Sequence, residues 1–275
     1  MAACAVDAIL TAKTWDMNKV TFGELKTLET SSRIVYINYD GKPLYFQTPP
    51  MVSPFGVSKF AIDGTDTKKY SIEIAFKNRE TSARERMFFE KLQAFDRKVL
   101  DTVLENSGTW LKKKHNSLEV IEALYTPCIK VPKDKNGEAT DKYAPTFRLS
   151  LPMRGMDFMC TTEDATSGLP LNLLDLEQTG AAKQALVTAI VQITGIWIAG
   201  GKFGPTARVK HLVIQLNNSI LPKCAFEEDD EEVQPTELME VTVEEVVLVE
   251  QIEQPLAPVS KAAKKGKKTQ AVTDL

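Results

Sequence analysis

The amino-acid sequence predicts a mostly β protein with one long helix and a disordered C-terminal tail. Three observations carry that expectation. Short stretches of alternating apolar and polar residues, bounded by turn residues, recur as far as Leu216. A three- and four-residue apolar spacing is sustained once, between Thr81 and Asn106. Beyond Phe226 no aromatic residue occurs and acids dominate, a composition that cannot bury enough apolar surface to fold alone.

The elements follow in order. Arg33–Tyr39 is rich in β-branched and aromatic residues, Asp40-Gly41 is a turn pair able to take positive φ, and Pro43–Gln47 resumes the extended chain. Thr48–Gly56 is a loop fixed by its prolines. Tyr70–Lys77 alternates, with Tyr70, Ile72, Ile74 and Phe76 on the inner face. In the helix, Ser82 and Glu85 form a capping box, Phe88, Leu92, Phe95, Val99 and Val103 form the apolar stripe, and Gly108 closes it. A shorter helix, Ser117–Leu124, leads into a strand over Tyr125–Val131. Lys133–Lys142 is a hairpin loop tipped by Asn136-Gly137, with Thr146–Leu151 as its return strand. Gly155–Cys160 is a further strand and Thr161–Gly168 a polar loop. Ala185–Ile198 and Pro205–Leu216 are long strands joined through Gly200-Gly201.

A three-strand meander, a helix between the third and fourth strands, then more strands is the order of an OB-fold-like β-barrel. The expected division is an N-terminal extension (1–30), a nucleic-acid-binding core (31–225) and a tail (226–275) that is acidic and then lysine-rich.

Charge divides along the same line. The tail holds 13 of the 37 acids but only 5 of the 34 Lys and Arg residues, all within Lys261–Lys268. Residues 1–225 therefore carry 29 bases against 24 acids, net +5. The four cysteines lack paired spacing and only two histidines accompany them, which argues against a zinc site and for reduced thiols inside a cell. There is no charged-then-apolar leader and no uncharged apolar run of about 18 residues, so no membrane association is expected.

Signatures of catalysis are missing. Gly200–Gly204 lies between strands without phosphate-loop spacing, Gly-x-Ser-x-Gly is absent, and the carboxylates show no metal-binding pattern. The sequence predicts no enzyme, no cofactor and no metal. Single-strand binding fits better, because it needs cations along a groove and aromatic platforms for bases. The candidates are Tyr39 and Lys42; Trp110 with Lys112, Lys113 and Lys114; Lys130 and Lys133; Tyr143 and Arg148; Lys202 and Phe203; and Arg208 with Lys210. Ile37, Tyr70, Phe76, Phe88 and Phe95 are assigned to the core instead.

Lys42-Pro-Leu-Tyr-Phe-Gln-Thr-Pro-Pro-Met-Val-Ser-Pro-Phe-Gly56, Tyr143-Ala-Pro-Thr-Phe147 and Cys224-Ala-Phe-Glu-Glu-Asp-Asp230 carry a resemblance. Together they resemble the single-stranded-DNA-binding proteins of large eukaryotic DNA viruses, which are related to the replication binding protein of short-tailed coliphages. The likeness covers roughly Ile34 to Glu232. It implies an OB-type barrel that coats single-stranded DNA in viral replication, recombination or repair, in the host nucleus or a cytoplasmic viral factory. It also implies that an acidic segment, here Phe226, Glu227, Glu228, Asp229, Asp230, Glu231 and Glu232, recruits a polymerase or helicase. Such a tethered polyanion would compete with DNA for the groove. The chain departs from the phage pattern, because Phe226 precedes the acids and Lys261–Lys268 and Leu275 follow them. Phe46 and Phe55 are expected to pack rather than stack. A homodimer is left open, and the alternative function is a virion or scaffold interaction protein on the same barrel.

Overall fold

The computed structural model of the protein describes residues 9–28, 32–61 and 68–216. The predicted tail, with Phe226 and its acids, lies outside the described residues. A single 3₁₀ turn, Met17–Lys19, opens the order, followed by β1 (Val20–Thr27), β2 (Arg33–Tyr39), β3 (Lys42–Gln47), β4 (Met51–Val52), β5 (Val57–Ala61) and β6 (Lys68–Ala75). Three helices come next, α1 (Ala83–Glu105), α2 (Ser107–Trp110) and α3 (Leu118–Leu124). Then follow β7 (Ile129–Lys130), β8 (Thr146–Leu151), β9 (Met153–Arg154), β10 (Asp157–Phe158) and β11 (Thr161–Asp164). The last elements are α4 (Leu173–Thr179), β12 (Leu186–Ala199) and β13 (Lys202–Gln215).

Strand pairing runs in a ring, β12 to β4 to β6 to β8 to β13 and back to β12. All links are antiparallel except β8 with β13. Two links rest on one residue pair each, Val52 with Ala75 and Arg208 with Ser150. The sheet is therefore curled into a partly open barrel, the form an OB fold takes. β3, β4 and β5 act as one bent strand that pairs first with β12 and then with β6, broken where Pro49, Pro50 and Pro54 fall. β1 and β2 form a wing laid on β12, outside the ring.

The predicted element order holds along the chain, with β2, β3 and β6 before the long helix α1 and β8 after it. The predicted extension is partly absorbed into the fold. Leu10 bridges to Phe46, Trp15 is fully buried and stacks on Phe46 at 4.9 Å, and β1 pairs along β2.

The apolar stripe of α1 faces the core as predicted, with Phe88, Leu92, Phe95, Val99 and Val103 all at 0% exposure. Phe88 touches Phe46 of β3 at 5.7 Å and Phe147 of β8 at 6.2 Å, so helix and barrel share one core. Each such side chain contributes about 1.5–3 kcal/mol by burial. Ile37, Tyr70 and Phe76 are buried too.

Several local expectations are revised. The Ser82 hydroxyl caps α1 by accepting from the Glu85 N–H, but the Glu85 carboxylate reaches the Asn78 N–H at 3.0 Å instead of completing the box. α1 ends at Asn106, and Gly108 sits inside α2. Pro127 and Pro132 limit the strand predicted over Tyr125–Val131 to Ile129–Lys130. Gly155–Cys160 is the turn and second arm of a β9–β10 hairpin, with Gly155 at φ 62. Thr161–Asp164 is an edge strand parallel to β13 rather than loop, since β13 offers a free edge there.

Candidate nucleic-acid interface

Period-two alternation sets the outer face of the barrel. On β8, Phe147, Leu149 and Leu151 are buried, which turns Arg148 and Ser150 outward. Pairing aligns neighbours on that face. Phe60 of β5 sits opposite Lys69 of β6, and Ser58 lies opposite Ser71, which pairs with Ser150, itself opposite Arg208. Glu73 faces Arg148 and Thr146 faces Lys130.

A cleft of about 390 Å³ opens across this face, between Phe60 on one side and Trp197 on the other, over Ser71, Arg148 and Thr206. It shares Lys69, Tyr70, Ser150 and Thr206 with a second hollow of about 790 Å³ that reaches Arg208 and Met156. Phe60 is 61% exposed and Met156 82%. Large apolar groups so open, beside cations, offer flat surface to a base and charge to a phosphate.

Glu73 is the acid of this face. Its carboxylate accepts from the Thr146 hydroxyl at 3.1 Å and lies 3.9 Å from Lys130 Nζ and 3.7 Å from Arg148 Nε. Arg148 Nε also donates to the Ser71 hydroxyl at 3.3 Å. Glu73 is nearly covered while both cations are mostly exposed. The carboxylate is covered, while the cation heads paired with it stay open to solvent.

One wall of the cleft, Thr126–Cys128, is held by a buried network. Asp96 of α1 accepts from the Tyr125 hydroxyl at 2.6 Å and from the Cys128 N–H at 3.1 Å. Burial raises the Asp96 carboxyl above its ordinary range despite these donors, and pushes the Tyr125 and Cys128 side chains up as well. Gly204 lets this wall close on β13, since a Cβ there would stand 2.6 Å from the Thr126 carbonyl oxygen.

Of the predicted residues, Lys130, Arg148 and Arg208 come together on this face. Two predicted platforms are corrected. Trp110 is buried against Phe22 at 6.3 Å, and Phe203 is fully buried against Tyr125 at 5.1 Å. The remaining candidates are dispersed. Lys112, Lys113 and Lys114 are exposed after α2, Tyr143 is 63% exposed under Lys142, and Lys202 stands exposed beside the β12–β13 turn. Lys133 closes the base of its loop opposite Ala139. Tyr39 and Lys42 line a separate hollow of about 340 Å³, with the Tyr39 hydroxyl donating to the Thr14 carbonyl at 3.3 Å. Lys210 falls at a bulge, half-buried near Cys160, whose thiol burial pushes up to about 11.

Sequence reading passed over Phe60, Lys69 and Trp197. The available signal was the outward phase of Phe60 in Val57–Ala61 and the Lys68-Lys69 pair at a strand entry. Phe55, expected to pack, is 58% exposed, whereas Phe46 packs as expected.

Ring and cleft together define an OB-type barrel with an open, cationic, aromatic-bounded face. No protein-family model matches the chain, and no curated protein does. Among solved structures, the chain is similar to gp2.5, a single-stranded DNA binding protein encoded by bacteriophage T7, at 7% identity and TM-score 0.38, covering 67% of this chain and 98% of that one. It is also similar to the single-stranded DNA-binding protein of bacteriophage Enc34 in complex with ssDNA, at 8% identity and TM-score 0.38, covering 70% and 91%. The OB-type assignment rests on the ring of pairings itself.

Proposed function

We propose that this chain binds single-stranded DNA along the outer face of β6 and β8, without catalysis, in viral DNA replication, recombination or repair. The observation that carries the reading is the cleft between Phe60 and Trp197, floored by Arg148 and continuous with Arg208. Strands two and three of an OB barrel are where oligonucleotides lie, and the reading is supported by β6, the strand before the long helix, whose Lys69 and Ser71 line this cleft. Backbone phosphates would pair with Lys69, Lys130, Arg148 and Arg208 while bases rest on the two aromatics. The acids from Glu227 to Glu232 would compete for these cations and recruit replication proteins, in the host nucleus or a viral factory.

Fluorescence titration with poly-dT across a salt series tests the reading. Trp197 is the reporter, because Trp15 and Trp110 are buried. Quenching is expected, with log K falling by roughly 0.7 per phosphate contact for each unit of log salt. A chain ending at Phe226 should bind more tightly and with a steeper salt slope, because salt then no longer weakens a competing tail as well. A truncated protein indifferent to poly-dT at low salt would end the proposal.

A further inference from the structure

Outside the barrel ring, β2 presents Tyr36 outward between buried Val35 and Ile37, with 41% of its surface exposed. Its partner on β12 is Gly195, whose own partner on β13 is Thr206. A Cβ at position 195 would stand 2.5 Å from the Val35 carbonyl oxygen, so the crossing of β2 over β12 requires glycine. Along the row from Thr206 to Tyr36, two strand spacings or about 10 Å, the place of the missing Cβ is filled by β2 itself: the Val35 carbonyl oxygen, the Ile34 side chain and the Tyr36 Cα. Trp197, two residues along β12, stands beside this row and belongs to the cleft already described. Trp197 pairs with Ile34, and Ile34 shares its face of β2 with Tyr36, so the ring on the β1–β2 wing lies one residue pair away from the aromatic of the cleft. There Lys26 of β1 holds its ammonium 5.3 Å from the centre of the Tyr36 ring.

The geometry points to Tyr36 and Lys26 as a second station for single-stranded DNA, lengthening the bound strand beyond the barrel. This rests on the function proposed above. A base stacked on an exposed ring is worth more than an exposed cation–π contact, so an incoming base displaces Lys26 from the ring. The freed ammonium is then available to the phosphate of that same nucleotide. Gly195 contributes by its smallness, letting β2 close on β12 and bring Tyr36 near Trp197.

The test uses the full chain and oligo-dT of graded length, from about 4 to 16 nucleotides, the span that single OB folds cover. Tyr36→Ala should match the unaltered protein on the shortest oligonucleotides and bind the longest about tenfold more weakly. Lys26→Ala should follow the same length dependence and lower the salt slope on long oligonucleotides by about 0.7. Tyr36→Phe keeps the ring and should keep the affinity. Curves that superimpose at every length, or fall equally at every length, would overturn the second station. Phe60→Ala serves as the separate control on the cleft. If it weakens binding at all lengths while Tyr36→Ala and Lys26→Ala change nothing, the cleft stands and the extension falls. If the unaltered chain binds no oligonucleotide, the function itself has failed.

Discussion

Trp110 followed by Lys112, Lys113 and Lys114, and Phe60 paired with Lys69, combine the same ingredients in opposite arrangements. In the first, the aromatic ring turns inward onto Phe22 and the lysines are left exposed on the turn beyond α2. In the second, the ring turns outward at 61% exposure and its cation is supplied by the neighbouring strand. Adjacency along the chain brought nothing together at Trp110, because a four-residue helix points each successive side chain in a new direction. Adjacency across a ladder did bring Phe60 to Lys69, because directly paired residues share a face.

The sharpest way to break this contrast is to remove each ring. Trp110→Ala leaves a cavity in the core and should cost about 3–5 kcal/mol of stability. Denaturant midpoints would register that loss, while the DNA affinity of the molecules that remain folded should hardly change. A variant with normal stability and lost binding would mean that Trp110 is a platform after all. Phe60→Ala should do the reverse. Its melting point should stay put while single-strand affinity drops by about 1–3 kcal/mol, measured by titration.

This contrast also shows how much was legible beforehand. The helix stripe from Phe88 to Val103 and the alternation of Thr146–Leu151 were readable because local period alone determines which side is buried. Lys130, Arg148 and Arg208 were readable as cations, but nothing local says that β7, β8 and β13 lie side by side. That fact lives in the single parallel pair between Arg208 and Ser150 and in the short β7–β8 ladder. The wing was illegible for a similar reason. β2 reads as an ordinary strand, and its place outside the ring depends on a close crossing at Gly195, some 160 residues further along the chain. Phe203 misled because it follows a glycine turn and a lysine, yet strand phase points it at Tyr125.

The buried Asp96 behind the cleft wall gives a third, smaller contrast, this time in pH. Burial raises its folded carboxyl above the unfolded value, so the native state favours the protonated form. The resulting stability is fully present below the unfolded value of about 3.9 and is lost as pH rises through the raised one. Asp96→Asn cannot titrate. The unaltered protein should therefore gain stability relative to that variant as pH falls through this window, by at most about 1.4 kcal/mol per unit. Parallel pH profiles of thermal unfolding for the two proteins would contradict the assignment.

The smallest expected effect tests the face itself. Glu73 sits within 4 Å of both Lys130 and Arg148, and a phosphate drawn to those cations must approach a fixed negative charge. Exposed ion pairs are worth about 0–1 kcal/mol, so the pairs hold the cations only lightly. Repulsion of an incoming phosphate is therefore the larger consequence of the carboxylate. Glu73→Gln removes the charge and keeps an acceptor for the Thr146 hydroxyl. Binding to poly-dT should tighten by about 0.5–1 kcal/mol, with a steeper salt dependence because Lys130 and Arg148 are then fully available to phosphate. Weaker binding would reverse the argument. It would mean that Glu73 orders the two cations for the strand, and that the fixed carboxylate gives this face its geometry where the Lys112–Lys114 run has none.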